Sequence, residues 1–419
     1  MKKLIYKILG LVFALFILNS SFLIPNCMCQ WVQMSNGMGT DKGVWALTAN
    51  ENTIYAGTSA NYGSLKGVYT TTDNGINWSQ TSLNNVNTYS VLVNENYVFA
   101  GTENGIYLST NNGSNWTQTS LNNQFVYTLA LNGNTIFAGT YSGVFLSTNN
   151  GTNWIQTSVN LRTNTLAVFN NNIFAGTDGS GIFVSSNNGT NWAQINIYTN
   201  SYFTSFAISG NMIFAGRSNA TMQFPNTIIA STDTGVTWSS IVFTHFISTL
   251  TAIGNNIFAG TVSGIFVSTN TGMNWTQRNE GWNPPSISVS FCILNNYIFA
   301  GSNVNSVYRR PLGELVTVIS SVSNQIPLEY SMKQNYPNPF NPTTKIKFEI
   351  PNPKSETNSK TEIRIYDVLG KEVAVLVNEN LKPGIYDVEW DGTNYSSGMY
   401  FYKLESGNYI ETKKMLMIK

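Results

Sequence analysis

Charge is the first thing this sequence is short of. Of 419 residues only 22 are Lys or Arg and 21 are Asp or Glu, for a formal net charge of +1. So even a balance exerts no electrostatic pull on nucleic acid or an anionic membrane, and no nucleic-acid partner is expected. The charged share of 10% is far below the roughly 25% of ordinary soluble domains. Solubility falls instead to Asn, Thr, Ser and Gly, residues that favour turns and strand edges over helices. Histidine occurs once, at His245, and no His, Cys and carboxylate cluster has metal-ligand spacing, so neither a metal nor a cofactor is expected. A Ser-His-Asp set, a phosphate loop and a dinucleotide fingerprint are equally missing. His245 itself reads as a packing or surface residue. The apolar run Leu9–Leu18 is too short to span a bilayer and no later run is apolar enough, so no transmembrane anchor is expected.

That run has another reading. Lys2, Lys3 and Lys7 precede it and Asn19-Ser20-Ser21 follow it, the pattern of a secretory signal peptide over residues 1–29. Cys27 and Cys29 sit at the positions that small residues take before a cleavage at Gln30; lipidation of Cys27 or Cys29 is the alternative. After cleavage only Cys292 is left, so an exported chain here has no internal disulfide. Cys292 lies in an apolar run and reads as inert core.

What the chain has in abundance is repetition. The phrase Phe/Tyr-Ala-Gly recurs with its glycine at 57, 101, 139, 176, 216, 260 and 301. In six of these seven units a second phrase follows, TTDNGINW in the first and STNNGSNW in the second, with its tryptophan at 78, 116, 154, 192, 238 and 275. A period near 40 residues with four short strands per unit is the signature of a propeller blade. In the third unit the strands read as Val126–Asn132, Thr135–Thr140, Gly143–Thr148 and Asn153–Ser158, with an Asn-Gly hairpin turn after the first. No such unit can bury both faces alone, so the units must stack. The seventh lacks its tryptophan phrase, and the missing piece stands at the other end, where Gln30-Trp31-Val32-Gln33 matches Trp116-Thr117-Gln118. The expected fold is therefore all-β: a seven-bladed β-propeller over residues 30–312, closed by the N-terminal strand through Trp31. A linker over 313–329 and a small immunoglobulin-like β-sandwich over 330–419 follow.

The tryptophan phrase resembles the Asp-box, S/T-x-D-x-G-x-x-W, of sialidases, sortilin-like receptors and other BNR-like propellers. The resemblance implies a structural role for Asp73, Gly75, Trp78, Gly113, Trp116, Gly151, Trp154, Gly189, Trp192, Asp233, Gly235, Trp238, Gly272 and Trp275. Asn replaces Asp at 111, 149, 187 and 270 and can make the same turn. One carboxylate per turn is too little for calcium.

The composition changes at Tyr330. From there on lie 12 basic and 11 acidic residues, 23 of the 43 charges in the chain. QNYPNPFNPTTKIKFEIP (334–351), IRIYDVLGKEVAVL (363–376), PGIYDVEWDGTNYSSGMYFYKLESG (383–407) and KKMLMIK (413–419) resemble the type A C-terminal sorting domain of the bacterial type IX secretion system. The resemblance implies export across both membranes, contact with the secretion machinery through this domain, and a final location on the cell surface or outside the cell.

Departures from the repeat read as ordinary, tolerated surface-loop insertions or as the place where a ligand would bind. Segments 59–66 and 218–226 lengthen the second-to-third-strand connections, and Glu280-Gly281-Trp282-Asn283-Pro284-Pro285 lengthens a connection between units. All three belong on one rim, with Tyr62, Phe224, Trp282 and Arg217 as candidate contacts for a glycan or a protein. A non-catalytic binding module is the expected function, with a purely structural surface-layer component as a further reading. A glycoside hydrolase of the sialidase type is the alternative, with Arg162, Arg217 and Arg278 to grip a carboxylate and Asp41, Glu103, Asp178 and Glu280 as acid or base candidates.

Overall fold

The computed structural model describes residues 30–60, 66–195, 197, 201–218, 227–283, 287–315, 319–323, 326–352, 360–381, 383–392 and 395–419. Tyr62, Phe224 and the expected leader lie outside the described residues. The described chain is all-β apart from one short 3-10 turn at Leu312–Glu314.

The repeat region forms seven four-stranded antiparallel sheets. The third runs Val126–Asn132, Thr135–Thr140, Gly143–Ser147 and Ile155–Gln156, in sequence order from one edge to the other. The first two hairpins agree with the sequence reading; the outer strand is shorter, because only Ile155 and Gln156 pair with the third strand. Six sheets take all four strands from one continuous segment. The seventh consists of Ser288–Leu294, Tyr297–Ser302, Val307–Pro311 and, as its fourth strand, Val32–Gln33 from the start of the repeat region.

The phrase Phe-Ala-Gly has a physical explanation. It occupies the middle of each second strand, where alternate side chains point to opposite faces. Phe99 joins an apolar cluster shared by the second and third sheets, and Ala100 joins one shared by the first and second. The glycine that follows lies where the next sheet comes close: a Cβ on Gly101 would collide with Val126 of the third sheet. Every pair of successive sheets shares such a cluster. A further cluster joins Cys292, Phe299 and Val307 of the seventh sheet to Val44, Leu47, Tyr69 and Trp78 of the first. There Ser290 Oγ donates to the Val44 carbonyl at 3.0 Å.

The tryptophan turns are pinned by short polar side chains. In the second sheet Gly113 N donates to Ser109 Oγ at 2.8 Å, Asn115 N to Asn111 Oδ1 at 2.9 Å, and Trp116 Nε1 to the Gly113 carbonyl at 3.0 Å. Asn149, Asn187 and Asn270 accept the same bond, as do Asp73 and Asp233, so Asn serves the turn as well as Asp. The turn glycine has φ near +80° and no room for a side chain: at Gly151 a Cβ would meet Phe99 of the preceding sheet.

The last part of the chain forms two further four-stranded sheets around one core that includes Phe340, Phe348, Ile363, Trp390, Tyr402 and Met417. Its Asn-Tyr-Pro-Asn-Pro-Phe phrase is tied down from inside. Buried Asn335 donates from Nδ2 to Thr344 Oγ1 at 2.9 Å and from its backbone to Tyr402 Oη at 2.9 Å. The C-terminal strand brackets Phe340, whose N donates to the Leu416 carbonyl while Ile418 N donates to the Phe340 carbonyl, both at 3.0 Å.

Candidate functional site

In each repeat sheet the start of the first strand pairs with the end of the second, as Val126 does with Thr140. The segments between sheets and the second-to-third turns therefore share one rim. First-to-second turns and tryptophan turns share the opposite one. All seven first strands carry a register shift close to the former rim, with one unmatched residue each: Trp45, Tyr89, Tyr127, Asn164, Thr204, Ser248 and Val289. Such bulges re-aim the side chain at that position and recur next to binding sites.

Three consecutive sheets fill the bulge with an aromatic ring. Trp45 meets Tyr89 edge-on with centroids 6.0 Å apart; Tyr89 lies 4.6 Å from Phe125, and Phe125 lies 4.6 Å from Tyr127. The Arg162 guanidinium, from the segment just before the fourth sheet, lies over the Tyr127 ring at 4.7 Å, a cation–π contact that holds both groups in place. Arg162 also pairs with Asp178 at 3.5 Å and donates to Asn164 Oδ1 at 3.2 Å. Next to this row Tyr141 is 63% exposed, and at its other end Trp45 is 40% exposed. Glu103 accepts from Asn87 Nδ2 at 2.7 Å and from Lys66 Nζ at 3.2 Å. Burial raises the phenol pKa of Tyr89, with Glu103 adding to the effect, and burial also raises that of Tyr127 against the pull of Arg162. Both hydroxyls thus stay protonated and able to donate at neutral pH.

The candidates read from the sequence fall elsewhere. Trp282 is not an exposed contact residue: it is 5% exposed, 5.9 Å from Trp31 and 4.5 Å from Tyr308. The reason is local. Trp31 N donates to the Glu280 carbonyl at 2.6 Å, so segment 280–283 folds over the N-terminal strand and its tryptophan is used to bury that junction. Arg217 is 8% exposed, with Nε bonded to Ser201 Oγ at 2.7 Å and NH1 to Thr227 Oγ1 at 3.3 Å. It stands where other second strands have Thr, such as Thr140 bonded to the Gly143 carbonyl, and its side chain bridges the ends of its own sheet. Arg278 accepts the indole N–H of Trp31 on its carbonyl at 2.7 Å. The side chains of Arg162 and Arg217 thus have separate local partners, while the buried Nε of Arg278 has no hydrogen-bond partner and its charge acts on Glu280. His245 packs against Phe243 and Phe266 at 5.5 and 4.3 Å. Cys292 is buried and its thiol pushed far up by desolvation, which suits core packing and not nucleophilic chemistry.

Sequence reasoning missed a second buried arginine. Arg310 pairs with Glu280 at 2.8 Å and Glu314 at 3.2 Å, and burial of Glu314 outweighs Arg310 to push its carboxyl up to about 7. On the opposite rim lies a polar cleft of about 500 Å3, lined among others by Asn50, Glu51, Tyr55, Glu95 and Asn112. Among the described residues no group of His, Cys, Asp and Glu could hold a metal ion, and no helix is long and apolar enough to cross a membrane.

Solved structures similar to this chain are propellers of distant sequence. YCF48 from Cyanidioschyzon merolae is 13% identical with a TM-score of 0.53, over 68% of this chain and 100% of its own. A catalytically inactive virginiamycin B lyase from Staphylococcus aureus with quinupristin is 10% identical with a TM-score of 0.55, over 67% and 97%. An ancestral GH74 enzyme is 16% identical with a TM-score of 0.53, over 92% of this chain and 63% of its own. At these identities the likeness establishes a propeller-like fold and nothing of the chemistry. No curated protein matches the chain in sequence. Residues 334–419 match the family described as secretion system C-terminal sorting domain. The chain therefore ends in a type IX sorting domain, the signal that directs export to the cell surface or beyond.

Proposed function

We propose that the repeat region is a closed seven-bladed propeller of the Asp-box type, and that the exported chain is a non-catalytic binding module. Closure is supported by the wrap-around contacts: the seventh sheet adjoins the first through the same kinds of cluster and glycine contact that join the other pairs. Gln33 supports it too. Its Nε2 donates to the Asn305 carbonyl at 2.8 Å, as Gln118 does to Asn104 at 2.7 Å and Gln156 to Ser142 at 2.8 Å. The N-terminal strand thus repeats, across the chain ends, the clamp that each continuous sheet makes within itself.

One observation carries the binding role: the row Trp45, Tyr89, Phe125 and Tyr127, ended by Arg162, at the mouth formed by the first strands. In a closed ring this row lines part of the entrance to the central channel, a concave and rigid place for a ligand. The ligand class is glycan or protein. Glu103 and Asp178, the carboxylates beside the row, are engaged by Lys66 and Arg162, which suits anchoring better than acid–base exchange. A glycan array, capture of surface proteins and a fluorogenic sialoside assay test the reading together. Saturable binding that weakens in Trp45→Ala, without sialoside turnover, is expected. Turnover abolished by substitution of Arg162, Arg217 or Arg278 overturns it in favour of a glycoside hydrolase.

A further inference from the structure

The charges around the aromatic row are matched in pairs. Lys66 meets Glu103 at 3.2 Å, Arg162 meets Asp178 at 3.5 Å, and Lys42 meets Asp41 at 4.0 Å. An anionic ligand would have to draw Arg162 from Asp178 and Tyr127, or Lys66 from Glu103, and would leave a half-buried carboxylate without its partner. A cationic ligand would face the converse loss. The groups best placed to act without rearrangement are neutral: the rings of Trp45 and Tyr141, the most exposed of the set, and the phenol hydroxyls of Tyr89 and Tyr127. Around them stand the Asn164 amide and the Glu103 carboxylate, planar polar groups whose remaining hydrogen-bonding positions suit a ligand rich in hydroxyls.

A protein partner fits less well. A protein interface needs an apolar centre that can be fully desolvated, with an anchor side chain in a pocket. Here the inner rings pack against one another at tilted angles, so their faces are partly used within the row. What the row offers outward is a narrow strip, apolar along its length and polar at its margins.

We propose, resting on the reading of the mouth as the binding surface, that it takes a neutral oligosaccharide chain. The sugar C–H faces lie against Trp45 and Tyr141, and the hydroxyls reach Tyr89, Tyr127, Asn164 and Glu103. Each charged pair stays intact, so binding is insensitive to salt.

Titration calorimetry of the full chain tests this, with cellohexaose, xylohexaose and mannohexaose as neutral probes and 3′-sialyllactose and hexagalacturonate as anionic ones. At least one neutral hexasaccharide is expected to bind, with equal affinity at low and high salt. The affinity should fall about tenfold in Trp45→Ala and again in Tyr141→Ala, the range for one ring contact. Val242→Ala, at an exposed outer strand of the fifth sheet, should bind as the parent does. Tyr141→Ala keeps the test decisive if Trp45→Ala folds poorly, since Tyr141 is mostly exposed. Preference for the anionic probes, or neutral binding that both substitutions leave unchanged, overturns the inference. If no glycan binds but capture of a surface protein is lost in Tyr141→Ala, the inference falls and the binding role of the mouth stands. Sialoside hydrolysis overturns both.

Discussion

Six of the repeat sheets are completed by the strand that follows their own third strand; the seventh is completed by residues from the other end of the region. The two kinds of sheet use the same register. Gln33 opposes Tyr308 in the seventh as Gln118 opposes Tyr107 in the second. They differ in how the outer tryptophan is used. Trp116 and Trp154 are half-buried and bond to their own turn glycine, whereas Trp31 is 2% exposed and bonds to the Arg278 carbonyl of the sixth sheet. In the second and third sheets the tryptophan finishes its own turn, whereas Trp78 of the first sheet is, like Trp31, nearly fully buried and packs at the seam with the seventh sheet. The sheet made from two chain ends needs Trp31 to hold those ends together, and Trp282 and Tyr308 pack around it for that purpose.

The sharpest way to break this comparison is Trp31→Ala. Loss of a fully buried indole is expected to lower stability by about 3–5 kcal/mol, read by urea unfolding, against about 2 kcal/mol for half-buried Trp154→Ala. Equal effects would mean that the junction is no more than another turn. Gln33→Ala and Gln118→Ala should each cost about 1 kcal/mol, the net worth of one hydrogen bond. Amide exchange should then rise across 307–311 for the former and only locally for the latter. The junction should also respond to pH through Glu314, whose carboxyl burial moves from 4.5 to about 7. A carboxyl with a raised folded pKa favours folding while protonated, so its contribution is whole below about pH 4.5 and lost as pH rises through about 7. The melting temperature should therefore fall from about pH 5 to about pH 8 less steeply in Glu314→Gln than in the parent. Smallest of all, Tyr141→Ala should change stability by no more than about 0.5 kcal/mol, which separates a ring held for display from rings held for packing.

The repeat made much of this legible. The Phe-Ala-Gly phrase placed the second strands, and the match of Trp31-Val32-Gln33 to the outer-strand phrase placed the N-terminal strand on Val307–Pro311. The aromatic row was harder to see. Alternation by twos assigns each side chain to a face, and a bulge resets that count by one residue. Trp45, Tyr89 and Tyr127 therefore read as ordinary strand positions until the bulge is known. A signal was there all the same: the equivalent residues in the later sheets are Asn164, Thr204, Ser248 and Val289. Trp282 misled for a different reason. A lengthened connection with an aromatic residue looks like a ligand loop, and only the three-dimensional course shows that it covers a junction. Arg217 and Arg310 were unreadable as buried groups because their partners, Ser201 and Thr227, and Glu280 and Glu314, are polar residues that look like surface in sequence.

The strand Val307–Pro311 is the last of the repeat region, and the sorting domain hangs from it. It is also an inner strand of its sheet, hydrogen-bonded to Val32–Gln33 on one side and to Tyr297–Ser302 on the other. When the chain is held by its C-terminal end, any drag from a flowing medium or a bound particle enters the repeat region there. A strand gripped along both edges resists such a pull in shear, across several bonds at once, where a strand at the margin would peel away one bond at a time. The two residues lent by the N-terminal segment therefore reinforce the point at which a tethered molecule would be loaded.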